Sequence, residues 1–360
     1  MNKTNNKKDV QGKHEGRKGS FWGCLGRSLI GLLALLVIML ITGAIYQVIA
    51  SANDLKRYPP PGDLYEVGDY RLHLYCIGEG SPTVILEAGA GSPGLLWGYV
   101  QEEIGNSTRV CSYDRAGFGW SEPASGMLSP QQVASDLHTL LETAGVPGPY
   151  ILVGHSAGGI YVRAYTSQYS SDVVGMVLVD SSVEGQFAHY PPEWQEFDKV
   201  QNSMMAFCRV TSPFGVMRLS HLFDLATTSM DPEMGAAYLS TLYRTNYCQV
   251  SVREVDALAI SYRQSTLPDS LGDLPLIVLT ADTSEADMLA QIPAYLQSVI
   301  GPEVIRNVFK ANQEMQQELA SLSSCGRQIM VSSSGHMIQL DQPGVVIDAI
   351  REVMEQARGE

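Results

Sequence analysis

The segment Val153-Gly154-His155-Ser156-Ala157-Gly158-Gly159 follows the apolar run Tyr150 to Val153 and precedes a helical pattern from Ile160 to Tyr165. A serine between small residues on a sharp strand-to-helix turn has its hydroxyl pushed out of the sheet, where it can act as a nucleophile. The flanking glycines let the backbone turn tightly and let an acyl group approach. Ser156 is therefore the first candidate for catalysis. With 34 glycines in 360 residues the pattern alone has little specificity, so a base is needed elsewhere. Near the C-terminus, Arg327 to Ser332 reads as a strand and leads into Ser333-Ser334-Gly335-His336. A histidine on the loop after a last strand is placed to swing over such a serine, which makes His336 the candidate base.

Four segments in order carry a wider likeness: Thr83-Val84-Ile85-Leu86-Glu87-Ala88-Gly89, Asp114-Arg115-Ala116-Gly117-Phe118-Gly119-Trp120-Ser121, the Ser156 turn, and Ser334 through Pro343. Over about residues 64 to 357 the chain resembles the serine α/β-hydrolase family, in the branch with a helical lid. The resemblance implies a mostly parallel eight-stranded sheet with helices on both faces and no metal or organic cofactor. It implies an oxyanion hole from the backbone N–H groups of Ala90 and Ala157, each such donor worth about 3–4 kcal/mol. Ala88-Gly89 stands where many relatives have His-Gly, but the donor is main chain.

The family's acid follows either the sixth or the seventh strand. Asp180 follows the run Val173 to Val179, and Asp282 follows Leu276 to Thr280, with Glu285 and Asp287 close by. Asp282 and Asp180 stand level. His155 neighbours the nucleophile and is read as shaping the turn, whereas His189 and His221 are read as surface or packing residues.

Gly89-Ala90-Gly91-Ser92-Pro93-Gly94 also spells a dinucleotide-binding fingerprint, with Asp114 near the place of a ribose-binding acid. Read so, the chain is an NAD(P)-dependent oxidoreductase. Pro93 opposes this by removing an N–H where phosphate needs donors, and the preceding Tyr65 to Gly78 alternates like an antiparallel hairpin across Gly68-Asp69. A catalytically silent binding module is a further alternative, as are amide or peptide hydrolysis and acyl transfer on the same triad.

Charge is divided sharply along the chain. Residues 1–28 hold seven Lys or Arg against two acids, and the remainder holds 17 against 36. The first segment reads as a basic, disordered cytoplasmic tail. Residues 29–50 are almost wholly apolar and, at 1.5 Å per residue, about 30 Å long, enough to cross a bilayer. The basic flank predicts a single-pass anchor in the cell membrane with the body outside. Ala50-Ser51-Ala52 keeps a cleaved signal as the alternative. Residues 51–63, with Pro59-Pro60-Pro61, read as an extended spacer holding the body off the membrane.

The hydrolase core is expected over 64–182 and 274–360, with a helical lid over 183–273. Within the lid, Met204, Met205, Phe207, Phe214, Met217, Leu219, Leu222 and Phe223 divide between lid core and an apolar substrate site. The acidic body argues against nucleic acid or anionic lipid as its partner. A small acyl ester and the membrane are the partners expected, and no obligate protein partner is evident. Given the family's sheet order, Cys76 and Cys111 fall on neighbouring strands, and Cys208 and Cys248 both fall in the lid; these are the suggested disulfides.

Overall fold

The computed structural model describes residues 18–228, 230–261, 267–291, 296–297 and 300–359. The expected tail through residue 17 lies outside these. Eight strands form one sheet: β1 (Asp63–Val67), β2 (Tyr70–Ile77), β3 (Thr83–Glu87), β4 (Val110–Tyr113), β5 (Tyr150–His155), β6 (Val173–Val179), β7 (Leu276–Asp282) and β8 (Gly326–Ser332), in the order β1-β2-β4-β3-β5-β6-β7-β8. The β1–β2 hairpin turns at Gly68-Asp69, with Val67 opposite Tyr70. β2 also runs antiparallel to β4, and every later pair is parallel.

The central strands are apolar at consecutive positions because both faces are covered. Alternation sends Ile85, Leu152 and Leu178 to one face, against helices Pro130–Thr143 and Gly158–Gln168. It sends Val84, Val153 and Val177 to the other, against helices Gly98–Ile104 and Pro343–Arg358. Each such side chain contributes about 1.5–3 kcal/mol relative to exposure. Ser129 caps the first of these helices, its hydroxyl accepting from the Gln132 N–H at 3.3 Å, with Pro130 at the first helical position. β5 and β6 stay apolar up to their last residues, so the polar groups that follow them collect at the carboxyl ends of the strands.

Between β6 and β7 the described residues form mostly helices, the longest being Trp194–Thr211, Pro232–Leu242 and Tyr247–Ser261. Met205, Met217 and Phe223 join Cys208, Tyr243 and Cys248 in a separate core. Met204, Phe207, Leu219 and Leu222 face outward instead. Disulfides join Cys76 to Cys111 across β2 and β4, and Cys208 to Cys248 within this insert. Cys325 is free and exposed.

The N-terminal region departs from expectation. One helix runs from Lys18 to Arg57, so residues 18–28 are helical rather than tail, and 51–57 are helical rather than spacer. Residues 51–57 contain neither Pro nor Gly, and the helix stops where Pro59 restricts the residue before it. Its most apolar 18 residues have mean hydropathy 2.7 and are wholly unburied, long and apolar enough to cross a membrane. The body is not held away from it. Gln47 Nε2 donates to the Tyr243 carbonyl at 2.6 Å, Arg218 pairs with Asp54 at 2.7 Å, and Trp120 Nε1 donates to the Tyr58 carbonyl at 3.0 Å.

The Cys76–Cys111 bond closes a sequence separation of 35 residues. A loop of that size restricts the unfolded chain by about 4 kcal/mol. The Cys76→Ala/Cys111→Ala protein in non-reducing detergent should therefore melt roughly 5–10 °C lower in calorimetry; an unchanged midpoint would contradict the role assigned to it.

Candidate active site

β5 ends in the turn that the sequence marks. Ser156 adopts φ 53°, a left-handed conformation costly for a residue with a Cβ. The turn is held by the Ser156 N–H to the Val179 carbonyl at 3.0 Å and by the Ser182 N–H to the Ser156 carbonyl at 2.9 Å. Only glycine fits at 154, where a Cβ would stand 2.7 Å from the Gly158 backbone. Helix Gly158–Gln168 then starts immediately, two residues earlier than the apolar period suggests.

Asp180 leaves β6 with φ 40°, and Ser333 leaves β8 with φ 58°. Thus three of the four non-glycine residues with positive φ among those described follow the carboxyl ends of β5, β6 and β8. Asp180 reaches across β7, taking the Ala281 N–H at 3.1 Å on Oδ1 and meeting His336 Nδ1 at 2.6 Å through Oδ2. The His336 loop is fixed by Gly335 N–H to Asp341 at 2.8 Å and by Thr283 to the Ser334 carbonyl at 2.8 Å. Of the two acids that the sequence left level, the structure brings Asp180 to the imidazole and not Asp282. Asp282 is still a strand residue, in register with Ser332, and continues into a surface cavity with Glu285 and Arg306. Glu285 pairs with Arg306 at 3.1 Å, and the Asp287 side chain lies outside the described residues.

His155 does more than shape the turn. It is buried, and its Nε2–H donates to the His336 carbonyl at 2.8 Å, with the two rings 4.7 Å apart. Burial, then the neighbouring His336, push its pKa down to about 3, so it stays neutral. His336 behaves oppositely: packing around the ring lowers its pKa, but the hydrogen bond and charge of Asp180 outweigh this and raise it above 6.5. Its side chain remains 54% exposed. His221 pairs with Asp224 on the surface, and His189 ends an exposed short helix.

The loop after β3 lies directly over the turn, since a Cβ on Gly89 would stand 3.2 Å from Ser156 Cβ. Among the described residues, neither Ala90 N–H nor Ala157 N–H donates to a protein acceptor. A buried ion cluster that sequence reading missed holds this loop. Arg115 pairs with Glu87 at 2.6 Å and Glu254 at 2.7 Å, and donates to the carbonyls of Ala88 at 2.7 Å and Gly89 at 2.6 Å. Glu254, from the insert helix Tyr247–Ser261, accepts the Gly91 N–H at 2.7 Å. Burial raises Glu87 to about 7 against the pull of Arg115, and Tyr113 donates to it.

Asp114, the ribose acid of the dinucleotide alternative, is committed internally. It accepts from the Gly94 N–H at 2.8 Å and the Trp120 N–H at 2.9 Å, and meets His73 Nδ1 at 2.8 Å. Glu254 takes up the Gly91 N–H, a donor that a dinucleotide phosphate would need, and the glycine loop lies against the serine turn. Among the described residues, no group of three His, Cys, Asp or Glu side chains stands together as a metal centre needs. A cavity lined by Tyr190, Trp194, Met288, Phe309 and Asn312 opens on Asp180 and His336. These wall residues come from the start of the insert and from beyond β7, not from the Met204–Phe223 run singled out in the sequence.

Two outcomes follow from this electrostatics. By histidine-selective NMR, His336 should titrate above 6.5 while His155 stays neutral down to about pH 3, and Asp180→Asn should move His336 downward; an unmoved titration would contradict the pairing. Glu254→Leu leaves Arg115 one carboxylate short and Gly91 N–H unpaired, and should cost on the order of 3–5 kcal/mol in urea titration; a loss below about 1 kcal/mol would contradict the clamp.

Comparison with known proteins places this geometry. The chain is 28% identical over 311 residues to a probable transporter of Hormonema carpetanum, covering 81% of this chain and 42% of that one. It spans less than half the length of this relative and of an uncharacterised Schizosaccharomyces pombe relative. Among solved structures, the Cif epoxide hydrolase of Acinetobacter nosocomialis has a similar fold (TM-score 0.64, 15% identity, 86% of this chain and 96% of that one). A bacterial membrane phospholipase A is similar over 93% of this chain and all of that one (TM-score 0.58, 17% identity). The family model for the alpha/beta hydrolase family matches residues 84–349, and the chain belongs to that family.

Proposed function

We propose that the chain is a membrane-anchored serine hydrolase that cleaves a carboxylic ester through an acyl-enzyme. The observation that carries this reading is the Asp180–His336 hydrogen bond beside a serine held in a left-handed turn. Ser156 Oγ attacks the carbonyl carbon while His336 Nε2 takes its proton. Asp180 keeps the proton of the neutral ring on Nδ1, which leaves Nε2 a lone pair to accept the hydroxyl proton, and stabilises the imidazolium once formed. The N–H groups of Ala90 and Ala157 receive the developing oxyanion. The imidazolium then protonates the departing alcohol, and water enters by the same steps in reverse to release the acid.

The insert over residues 183–273 serves as a lid. Its Glu254 sets the oxyanion loop through Gly91 and Arg115, and the cavity beside His336 receives part of the substrate. A serine nucleophile supports ester chemistry over epoxide opening, which in this fold normally uses an aspartate at the turn. The N-terminal helix anchors the body, with the basic flank inside and the disulfide-bearing body outside, where disulfides persist.

Full-length protein should react with a fluorophosphonate probe, and Ser156→Ala should not; labelling that survives the substitution would refute the nucleophile. On a simple aryl ester, Asp180→Asn should lose on the order of 10⁴-fold in kcat, while Asp282→Asn stays within about threefold. The reverse ranking would reassign the acid.

A further inference from the structure

The N-terminal helix presents two different sides at one height. Its apolar run from Leu29 to Ile49 spans about 30 Å, one hydrocarbon thickness. On one side Ile45, Val48 and Ile49 are exposed up to the end of that run. On the other, a Cβ on Gly43 would collide with the Phe214 carbonyl, and one on Gly215 would stand 3.0 Å from Tyr46 Cδ1. Backbone of the insert therefore touches the helix six residues, or about 9 Å, before the apolar run ends. If Ile45, Val48 and Ile49 face lipid, Phe214 and Gly215 lie at lipid depth too.

The chain around that contact carries the matching surface. Phe207, Val210, Leu219, Leu222 and Leu225 are all exposed, Val210 to 64% and Leu225 to 80%. Of the three charges in 204–225, Arg218 is paired to Asp54 and Asp224 accepts from Tyr243 at 2.6 Å. Only Arg209 is exposed without such a role, and a long cationic side chain can reach the headgroups. An apolar patch of this kind is costly in water and favourable in an interface.

We infer that residues 204–225 are immersed in the leaflet facing the body, and that the Ser156 site takes its ester from that leaflet, as a membrane-resident acyl lipid. The immersed segment is tied to the catalytic edge. The Cys208–Cys248 bond joins it to helix Tyr247–Ser261, and that helix supplies Glu254 to the oxyanion loop. The membrane half of the inference rests on the anchor reading of the N-terminal helix, its contact with the insert and the exposed apolar side chains, whereas the substrate half rests also on the serine-hydrolase reading.

Full-length Val210→Trp and Leu225→Trp proteins in phosphatidylcholine vesicles with brominated acyl chains test the first half. The added tryptophan should be quenched at both positions, and emission unaffected by bromination would overturn the immersion. For the second half, the wild type should hydrolyse an acyl phospholipid or acylglycerol embedded in vesicles. Val210→Ser/Leu225→Ser should lose about tenfold on that substrate while keeping its rate on a soluble butyrate ester. Equal loss on both substrates, or no vesicle hydrolysis by the wild type, would overturn the lipid assignment. Fluorophosphonate labelling of the same samples separates this from failure of the hydrolase reading, since a protein that labels at Ser156 yet ignores vesicle lipid refutes only the substrate.

Discussion

The 2.6 Å bond from Asp180 to His336 joins the ends of two strands that β7 separates, so it closes only if three adjoining strands stop at the right heights. Asp180 spans the gap by leaving β6 in a left-handed turn and bracing its other oxygen on the Ala281 N–H. That costs backbone strain of order 1–3 kcal/mol, as does the turn at Ser156. Both strained turns persist because the strands beneath them are buried on two faces and cannot relax. The apolar sandwich and the polar edge are thus one design: rigid packing below holds unfavourable geometry above.

Much of this was legible in the sequence because it is local. The Gly154 to Gly159 pattern specifies a turn that small residues alone permit, Gly68-Asp69 specifies a hairpin, and consecutive apolar runs specify strands covered on both faces. The choice between Asp180 and Asp282 was not legible. Both follow a strand by one or two residues, and what separates them is whether the chain turns at once or runs on in register with Ser332. The Arg115 cluster was hidden for a different reason. Glu254 lies 139 positions from Arg115, and nothing in its helix marks it as a partner for a loop after β3. Pro59-Pro60-Pro61 dictates extended chain only from Tyr58 onward, whereas the seven residues 51–57 ahead of it contain no helix breaker and continue the helix.

The insert carries connections to both the N-terminal helix and the loop after β3. Tyr243 and Arg218 meet the helix, while Glu254 and Tyr247, a few residues on, pack over Gly91. The N-terminal helix and the loop after β3 are therefore joined through one insert, which the Cys208–Cys248 disulfide braces. Displacing the insert would have to break either the buried Glu254 contacts or the contacts to the N-terminal helix, and the Arg218–Asp54 pair is the more exposed of the two.

The most direct test of the account is a structure of the full-length protein after reaction with an alkyl phosphonate. The account requires phosphorus on Ser156 Oγ, with the phosphoryl oxygen about 2.7–3.1 Å from the N–H groups of both Ala90 and Ala157 and His336 still bonded to Asp180. Phosphorus on another side chain, or a phosphoryl oxygen turned away from both N–H groups, would contradict it.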